Sequence, residues 1–397
     1  MAEADREAWI TGIGIVSCLG EGPQAHWQKL MEAHPSADTT TFAPYVVHPL
    51  APVNFDAQIP KKGDQRQMEA WQRIGTYAAG LALDSAGVKG KTDILSHMDM
   101  IVAAGGGERD LAVDCTILSG LPHAKNPAAF LNERLMSDLR PTLFLAQLSN
   151  LLAGTISIVH GVTGSSRTFM GEESCGVDAV RVAFARIAAG QSDIALVGGS
   201  YNGERPDLLM LYEFADFALK DRFTPVWERG DKGGVALGSL GAFIVIEERG
   251  HAETRGAKPL ARLSAVYSDR SKRAPADVTA ALARLWDKIK DRIKPGHAAA
   301  LSGASGAAAA TAGERDFLAA HPDLAVRATG TYLGHGAEPQ FVMNVALAAV
   351  ALEHGSLFPP CDSTGLEKPM AGDLQQVVVT GVGHWRGEGL ALLERAG

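Results

Sequence analysis

The chain has 397 residues and a mass of 41.8 kDa, enough for two domains of ordinary size or one large duplicated α/β unit. A formal net charge of −8, a pI near 5.9 and the lack of any Lys or Arg run exclude an ordinary nucleic-acid-binding protein. The longest apolar stretch, around 342–352, is too short to span a membrane, and the first nine residues lack an apolar signal region. We therefore expect a cytoplasmic protein.

Strand-like and helix-like segments alternate along the chain, which predicts a mainly parallel sheet with helices on both faces. The predicted strands are 9–17, 98–106, 192–200, 240–248, 298–306, 324–332 and 375–383. Apolar residues recur at three- and four-residue steps in the predicted helices, which are 70–87, 145–160, 174–190, 276–293 and 340–354.

Two irregular segments and one boundary organise these elements. Segments 37–68 and 108–140 carry Pro, charges and isolated apolar residues, and we expect insertions that either shape a pocket at the end of the sheet or form surface loops. The charged, Gly-punctuated stretch 249–259 separates two parts with a similar order of strands and helices. We predict an N-terminal half with cap insertions at 1–255 and a C-terminal half at 256–397.

The stretch "TFMGEESCGVDAVRVAFARIAAGQSDIALVGGS" (168–200) is the strongest candidate for a reactive centre. A turn of small residues precedes a helix and a buried strand, an arrangement that presents a side chain at the helix N-terminus. The four candidates for this position are Glu172, Glu173, Ser174 and Cys175.

Cysteine and histidine usage does not point to a metal centre. The four cysteines lie far apart without CxxC spacing, and the twelve histidines form neither an HExxH motif nor a paired spacing. We expect no disulfide framework, no metal and no cofactor.

Several segments resemble those of the β-ketoacyl-ACP synthases, the condensing enzymes of fatty-acid and polyketide synthesis, and they occur in the same order. They are "ITGIGIVSCLGEG" (10–22), "NLLAGTISIVHGVTGSS" (150–166), "ARIAAGQSDIALVGGS" (185–200) and the stretch 222–258. The resemblance covers nearly the whole chain. It implies an α/β thiolase-like fold, in which two duplicated βαβ halves form a layered α-β-α-β-α core.

The resemblance also implies that this chain lacks several of the family's reactive residues. The position of the family's nucleophilic cysteine falls on Glu173, and Cys175 lies two residues further, about 200° around the helix. Cys175 would be the nucleophile only if the alignment slipped by two residues. Otherwise it is expected to be a small packing residue.

The second half repeats this loss. The family's first histidine aligns with Gly303 and its lysine with Gly330, whereas the second histidine remains as His335. The glycine-rich loop containing Gly383, expected to supply an oxyanion-hole amide, matches poorly. The resemblance thus implies a vestigial site made of Glu173 and His335, with Gly303, Gly330 and Gly383 on the substrate side.

Two interpretations of Glu173 and His335 stay open. In the first, both are structural residues, Glu173 at a helix N-terminus and His335 in the core. In the second, they form a residual site. Together with the losses, the resemblance implies a non-condensing subunit like a chain-length factor, which acts in fatty-acid (including very-long-chain) or polyketide synthesis. Its expected partners are acyl carrier protein or an acyl chain, and a catalytically complete synthase as heterodimer partner or a second copy. The alternatives are an active 3-oxoacyl-ACP synthase, a malonyl-ACP decarboxylase with an atypical site, and a stand-alone acyl-binding protein.

Overall fold

The computed structural model describes residues 6–140 and 142–396. Its strands are β1 Ala8–Ser17, β2 Gly20–Glu21, β3 Val47–His48, β4 Asp99–Ala104, β5 Ser166–Met170, β6 Ile194–Tyr201, β7 Leu237–Gly238, β8 Leu240–Glu248, β9 Ala261–Asp269, β10 Ala298–Ser302, β11 Ala325–Ala328, β12 Gln376–Val382 and β13 Glu388–Glu394. Its helices are α1 Gly22–Glu32, α2 Lys62–Gln67, α3 Ala70–Ser85, α4 Thr92–Leu95, α5 Leu111–Gly120, α6 Pro127–Ser137, α7 Leu143–Ala146, α8 Leu151–His160, α9 Glu173–Ala188, α10 Pro206–Phe214, α11 Arg249–Thr254, α12 Pro275–Trp286, α13 Ala308–Ala319, α14 Gly330–Leu333 and α15 Gln340–His354.

The order of the strands reveals an internal duplication. In the described part of the chain, the first half has the order β5-β4-β6-β8-β1 and the second half has β11-β10-β12-β13-β9. The two sets are joined by pairing between β1 and β9. Each half therefore repeats the same arrangement, with its first strand at the junction.

The prediction of a mainly parallel sheet is wrong. Only the outer strands are parallel, in the pairs β4–β5, β4–β6, β10–β11 and β10–β12. Strands β8 and β13 return antiparallel beside the first strand of their own half. Hydrophobic runs identify buried strands but do not give their direction, because both kinds of sheet bury such strands when helices cover both faces.

Helices cover both faces of each half and form the layered thiolase-like fold. Helix α3 packs outside the first half, and α12 and α13 pack outside the second. Helices α9 and α15 lie between the halves, where each contacts strands of both. Every residue from Gln340 to Leu352 in α15 is buried, as expected for a helix that is apolar on all sides.

Glycine permits the closest approach between helix and sheet. A Cβ atom on Gly14 of β1 would lie 2.1 Å from the Ala78 carbonyl oxygen of α3. Any larger residue at this position would push α3 away from β1. The close packing of this helix on the sheet therefore requires glycine.

Several element predictions need correction. The segment 108–140, predicted to be irregular, contains α5 and α6, and the end of the predicted strand 324–332 is helix α14. Strands β5, β9 and β13 were not predicted. The domain boundary at 255–256 stays a prediction. None of the helices in the described residues has the length and hydropathy that crossing a membrane requires.

Candidate functional site

Three buried side chains from distant parts of the chain meet at the N-terminus of α9. Glu173 is the first residue of that helix, His335 follows α14, and His384 lies in the turn between β12 and β13. Their exposed fractions are 3%, 1% and 7%. The fold therefore brings the two residues of the expected vestigial site together and adds a second histidine from the C-terminal turn.

One carboxylate oxygen accepts a hydrogen bond from each ring. His335 Nε2–H donates to Glu173 Oε1 over 2.7 Å, and His384 Nδ1–H donates to the same oxygen over 2.6 Å. The other oxygen, Oε2, is buried without a hydrogen-bond partner among the described residues. We call Glu173, His335 and His384 the buried triad.

The backbone holds His335 in place. Its N–H donates to the Ala236 carbonyl over 2.8 Å, and its own carbonyl accepts from the Gly238 N–H over 3.0 Å. These two bonds fix the backbone of His335 beside β7 of the first half. Both halves therefore position the triad.

The electrostatics favour a charged carboxylate in the triad. Burial raises the pKa of Glu173, but the charge of His384 and the hydrogen bonds from both rings outweigh it and hold that pKa well below its ordinary value. Burial lowers the pKa of His384, whereas the Glu173 carboxylate more than compensates and raises it overall. The positive end of the α9 dipole also stabilises negative charge here.

Glu338 is a second buried carboxyl beside the triad. It is 7% exposed, and its Oε2 has no partner among the described residues. Burial raises the pKa of Glu338 to about 8, and the charges of Glu173 and Glu172 act in the same direction. A carboxyl in this position carries a proton near neutral pH.

Two cavities adjoin this region. The larger, of about 510 Å³, is mostly aromatic and aliphatic, and it reaches His384 and Trp385. The other, of about 370 Å³, lies beside the loop after β4 and carries Glu108 and Arg205. Glu338 lines both. Of the triad residues, only His384 lines the apolar cavity. Glu338 connects that cavity to the polar one.

Cys175 is separated from both cavities. Its side chain is 4% exposed within the main hydrophobic core, and its Sγ donates a weak hydrogen bond to the Gly171 carbonyl over 3.4 Å. Burial, followed by the charges of Glu338 and Glu173, raises the pKa of the Cys175 thiol well above its ordinary value. A protonated, inaccessible thiol is a poor nucleophile.

The three glycines of the predicted substrate side differ in their surroundings. A Cβ on Gly303 would lie 2.7 Å from the Thr380 carbonyl oxygen, and a Cβ on Gly330 would lie 2.8 Å from that of Ala304. Neither position has room for a larger side chain without a backbone shift. Gly383 borders the triad, because a Cβ there would be 3.2 Å from Glu173 Oε2.

The triad also has the composition of a metal site, which the sequence did not indicate. One ligand atom from each residue lies within 4.8 Å of the other two. Two imidazoles and one carboxylate suit Zn²⁺ or Fe²⁺. The distances of 2.7 and 2.6 Å are also those of hydrogen bonds, so protons on His335 Nε2 and His384 Nδ1 can join these rings to Oε1 without an ion.

Sequence reasoning missed His384 and Glu338. His384 lies in the glycine-rich C-terminal loop, where no spacing marks it as a partner of a residue 211 positions away. Glu338 lies between His335 and the start of α15. Its sequence neighbours do not distinguish it from a surface glutamate that precedes a helix. Only the folded arrangement of the two halves reveals either one.

Comparisons with known proteins agree with this fold. The model of the family "Beta-ketoacyl synthase, N-terminal domain" matches residues 5–252. The chain therefore belongs to the β-ketoacyl synthase family.

Two bacterial relatives are 3-oxoacyl-[acyl-carrier-protein] synthase 2 proteins. The one from Vibrio cholerae is 24% identical over 265 residues, which cover 64% of this chain and 60% of that protein. The one from Rhizobium meliloti is 27% identical over 278 residues, covering 64% and 62%. The chain thus matches about three fifths of the length of these relatives.

Solved structures share the fold over almost the whole chain. The ishigamide ketosynthase/chain length factor has a TM-score of 0.79 at 18% identity, covering 99% of this chain and 100% of that one. A type II polyketide ketosynthase in complex with its acyl-carrier protein has a TM-score of 0.77 at 16% identity, with the same coverage. At these identities the likeness establishes the thiolase-like fold alone.

Proposed function

We propose that this protein is a non-condensing subunit, similar to a chain-length factor, that pairs with a catalytically complete β-ketoacyl-ACP synthase in fatty-acid or polyketide synthesis. The observation that carries the proposal is the buried triad. Condensation in this family starts with a thiolate at the N-terminus of the central helix, and on the alignment proposed from the sequence that position falls on Glu173, which instead accepts hydrogen bonds from two histidines.

A carboxylate in this position does not replace a thiolate. An acyl group on Glu173 would be an anhydride, which water hydrolyses before a carbanion arrives. Moreover, the hydrogen bonds from His335 and His384 occupy Oε1, and Oε2 is buried. The Nε2 of His335, the histidine that would bind a malonyl thioester, is therefore committed to a hydrogen bond with Glu173.

The exposed edge of the first half supports a dimeric arrangement. In the described residues β5 pairs only with β4, so its other edge is open, and Met170 at its end is 74% exposed. An open strand edge with apolar residues favours pairing with another chain. Among the structural neighbours, one is a ketosynthase/chain length factor and another is a ketosynthase bound to its acyl-carrier protein.

The apolar cavity of about 510 Å³ gives this subunit a place for part of an acyl chain. Leu208, Leu211, Tyr212 and Phe217 line it, and Trp385 is at its edge. Such a lining binds hydrocarbon by excluding water from it. On this proposal the protein works in the cytoplasm and limits the chain length produced by its partner.

Malonyl-ACP decarboxylation is the second candidate function. The observation in its favour is that His384, whose pKa is raised, lines the apolar cavity and could donate a proton to a thioester carbonyl. Release of CO₂ from malonyl-ACP by the wild type, lost in His384→Gln, would favour this function.

The deciding experiment is intact-protein mass spectrometry after incubation with acyl-ACP and then malonyl-ACP, with wild type beside Cys175→Ala. We expect no covalent acyl adduct and no elongated product from either protein. An adduct on the wild type that disappears in Cys175→Ala, followed by elongation, would instead make this protein an active synthase.

A further inference from the structure

A separate cavity lies at the N-terminus of helix α13, on the second half of the molecule. It has a volume of about 340 Å³ and is bounded by the loop that contains Trp227 and Arg229 and by the start of α13. None of the residues lining it lines either cavity beside the buried triad. The site already described therefore does not account for it.

The end of α13 that faces the cavity lacks a cap of its own. Ala307 at the N-cap has no side-chain acceptor, and the first turn contains no Asp or Glu. Ala308 and Ala309 of this turn line the cavity. The first N–H groups of a helix have no partner within the helix and carry partial positive charge, so this end attracts an anion.

Arg229 provides a full positive charge at the same place. It is 9% exposed, and its Nε and Nη1 donate to the carbonyls of Thr224 and Gly234 over 2.9 and 2.7 Å. Its Nη2 is buried and has no partner within residues 6–140 and 142–396. The backbone thus fixes the guanidinium and leaves one of its nitrogens unused.

Within the described residues no carboxylate neutralises this charge. Burial lowers the pKa of Arg229 to about 9, and no carboxylate offsets that effect. A buried charge without a counter-ion is costly to the fold. An anion in the cavity would supply the counter-ion.

The rim of the cavity keeps the balance positive. Arg315 lines it, and the side chain is 42% exposed, with its nearest carboxylate, Asp316, 4.0 Å away. Asp231 also lines the cavity and is exposed to solvent. Two arginines and one aspartate leave a net charge of +1, beside the helix N-terminus.

We propose that this cavity is a binding site for a small oxyanion, either phosphate or the phosphate group of an ester. The N–H groups at the start of α13 bind the anion, the Arg229 guanidinium in the cavity wall supplies the counter-charge, and Arg315 closes the rim. The site is independent of the buried triad and of the proposed chain-length role.

Isothermal titration calorimetry of the full chain tests the proposal at constant ionic strength, with chloride as the reference anion. The probes are inorganic phosphate and glycerol 3-phosphate. We expect saturable binding of at least one. Similar affinities would identify a site for the free anion, and glycerol 3-phosphate binding at least tenfold tighter would identify a site for the ester.

Variants that leave the fold intact identify the location. Ala309→Asp places a carboxylate in the first turn, where it favours the helix and occupies the anion's position, so binding should disappear. Arg315→Gln should weaken binding at least threefold, whereas Lys232→Gln, an exposed neighbour outside the lining, should leave it unchanged. No saturable binding of either probe, or binding that Ala309→Asp leaves intact, would overturn the proposal.

Discussion

Glu173 Oε1 and His384 Nδ1 lie 2.6 Å apart, although 211 positions separate the two residues in the chain. The bond joins the central helix of the first half to the last turn of the second half. Since His335 donates to the same oxygen, one carboxylate connects three segments of the fold. Glu173, which we propose stands at the position of the family's nucleophile, is thus a structural junction.

Replacing Glu173 with Gln should weaken this junction. The amide is neutral, so both rings lose their charged partner, although its one oxygen can still accept hydrogen bonds. We expect a loss of about 1–3 kcal/mol in the free energy of unfolding, measured by urea denaturation. The raised pKa of His384 should fall toward or below its ordinary value, as read from NMR titration of the ring protons.

Glu172→Gln is the matched control for that measurement. Glu172 precedes the helix, and its Oε2 lies 3.9 Å from Nε of Arg386, whose side chain is 62% exposed. Its loss should change stability by less than about 1 kcal/mol. Equal effects of the two substitutions on stability and on His384 would contradict the role assigned to Glu173.

Restoring a cysteine alone should not restore condensation. Glu173→Cys provides a thiol, but on the proposed alignment Gly303 and Gly330 stand where the family has its first histidine and its lysine. A Cβ at either glycine already meets a carbonyl oxygen within 3.0 Å, so even the added side chains would not fit without movement of the backbone. Formation of β-ketoacyl-ACP by the single variant, followed by mass spectrometry, would refute this account.

The pH dependence of stability should show the protonated Glu338. Its pKa is about 8 in the folded protein against an ordinary 4.5, so between these values the folded state holds a proton that the unfolded chain has released. The free energy of unfolding must then fall as pH rises through that window, by about 1.4 kcal/mol per unit from this group. Unfolding in urea at several pH values measures it.

The informative quantity is the wild-type free energy of unfolding minus that of Glu338→Gln. The variant lacks the titrating proton, so the difference isolates Glu338 from His384 and other groups. This difference should decrease from pH 5 to pH 8 and level off above. A flat difference would mean that Glu338 is ionised in the folded state and has found a partner.

The parts of the fold that the sequence predicted are those with a strong local signal. The predicted strand 240–248 and helix 340–354 coincide with β8 and α15, because both are buried along almost their whole length. Helices α5 and α6 were missed because they lack a buried stripe: only Ile117 is buried in α5, and none of α6 is. A helix with a buried face shows a periodic pattern of apolar residues, whereas a surface helix shows little of this pattern.

The candidate site was predicted in part for a similar reason. Glu173 and His335 were found through family motifs anchored on neighbouring glycines. His384 and Glu338 have no such anchor, and their importance arises from proximity across the two halves. A contact between residues distant in the chain cannot be predicted from the sequence around either residue.

The open edge of β5 should carry the contact with a partner synthase. Met170→Asp puts a charge on that edge at a residue that is 74% exposed, so the free protein should stay folded. We expect at least a tenfold weaker association with an active β-ketoacyl-ACP synthase in sedimentation analysis. Ile158→Asp, an equally exposed apolar position on α8, tests whether the effect is specific to the strand. Unchanged association of Met170→Asp would place the interface elsewhere.

Cys175 should resist alkylation while Cys115 reacts. Cys115 is exposed on α5, whereas Cys175 is buried in the core with a raised pKa. Cys18 is half-buried, and desolvation of its thiol raises its pKa to about 12, which keeps it protonated. Brief treatment of the native protein with iodoacetamide, followed by peptide mass spectrometry, should find Cys115 modified and the other two intact. All three should react after denaturation in urea. Rapid native labelling of Cys175 would mean that its thiolate is accessible, which would favour an active synthase over a non-condensing subunit.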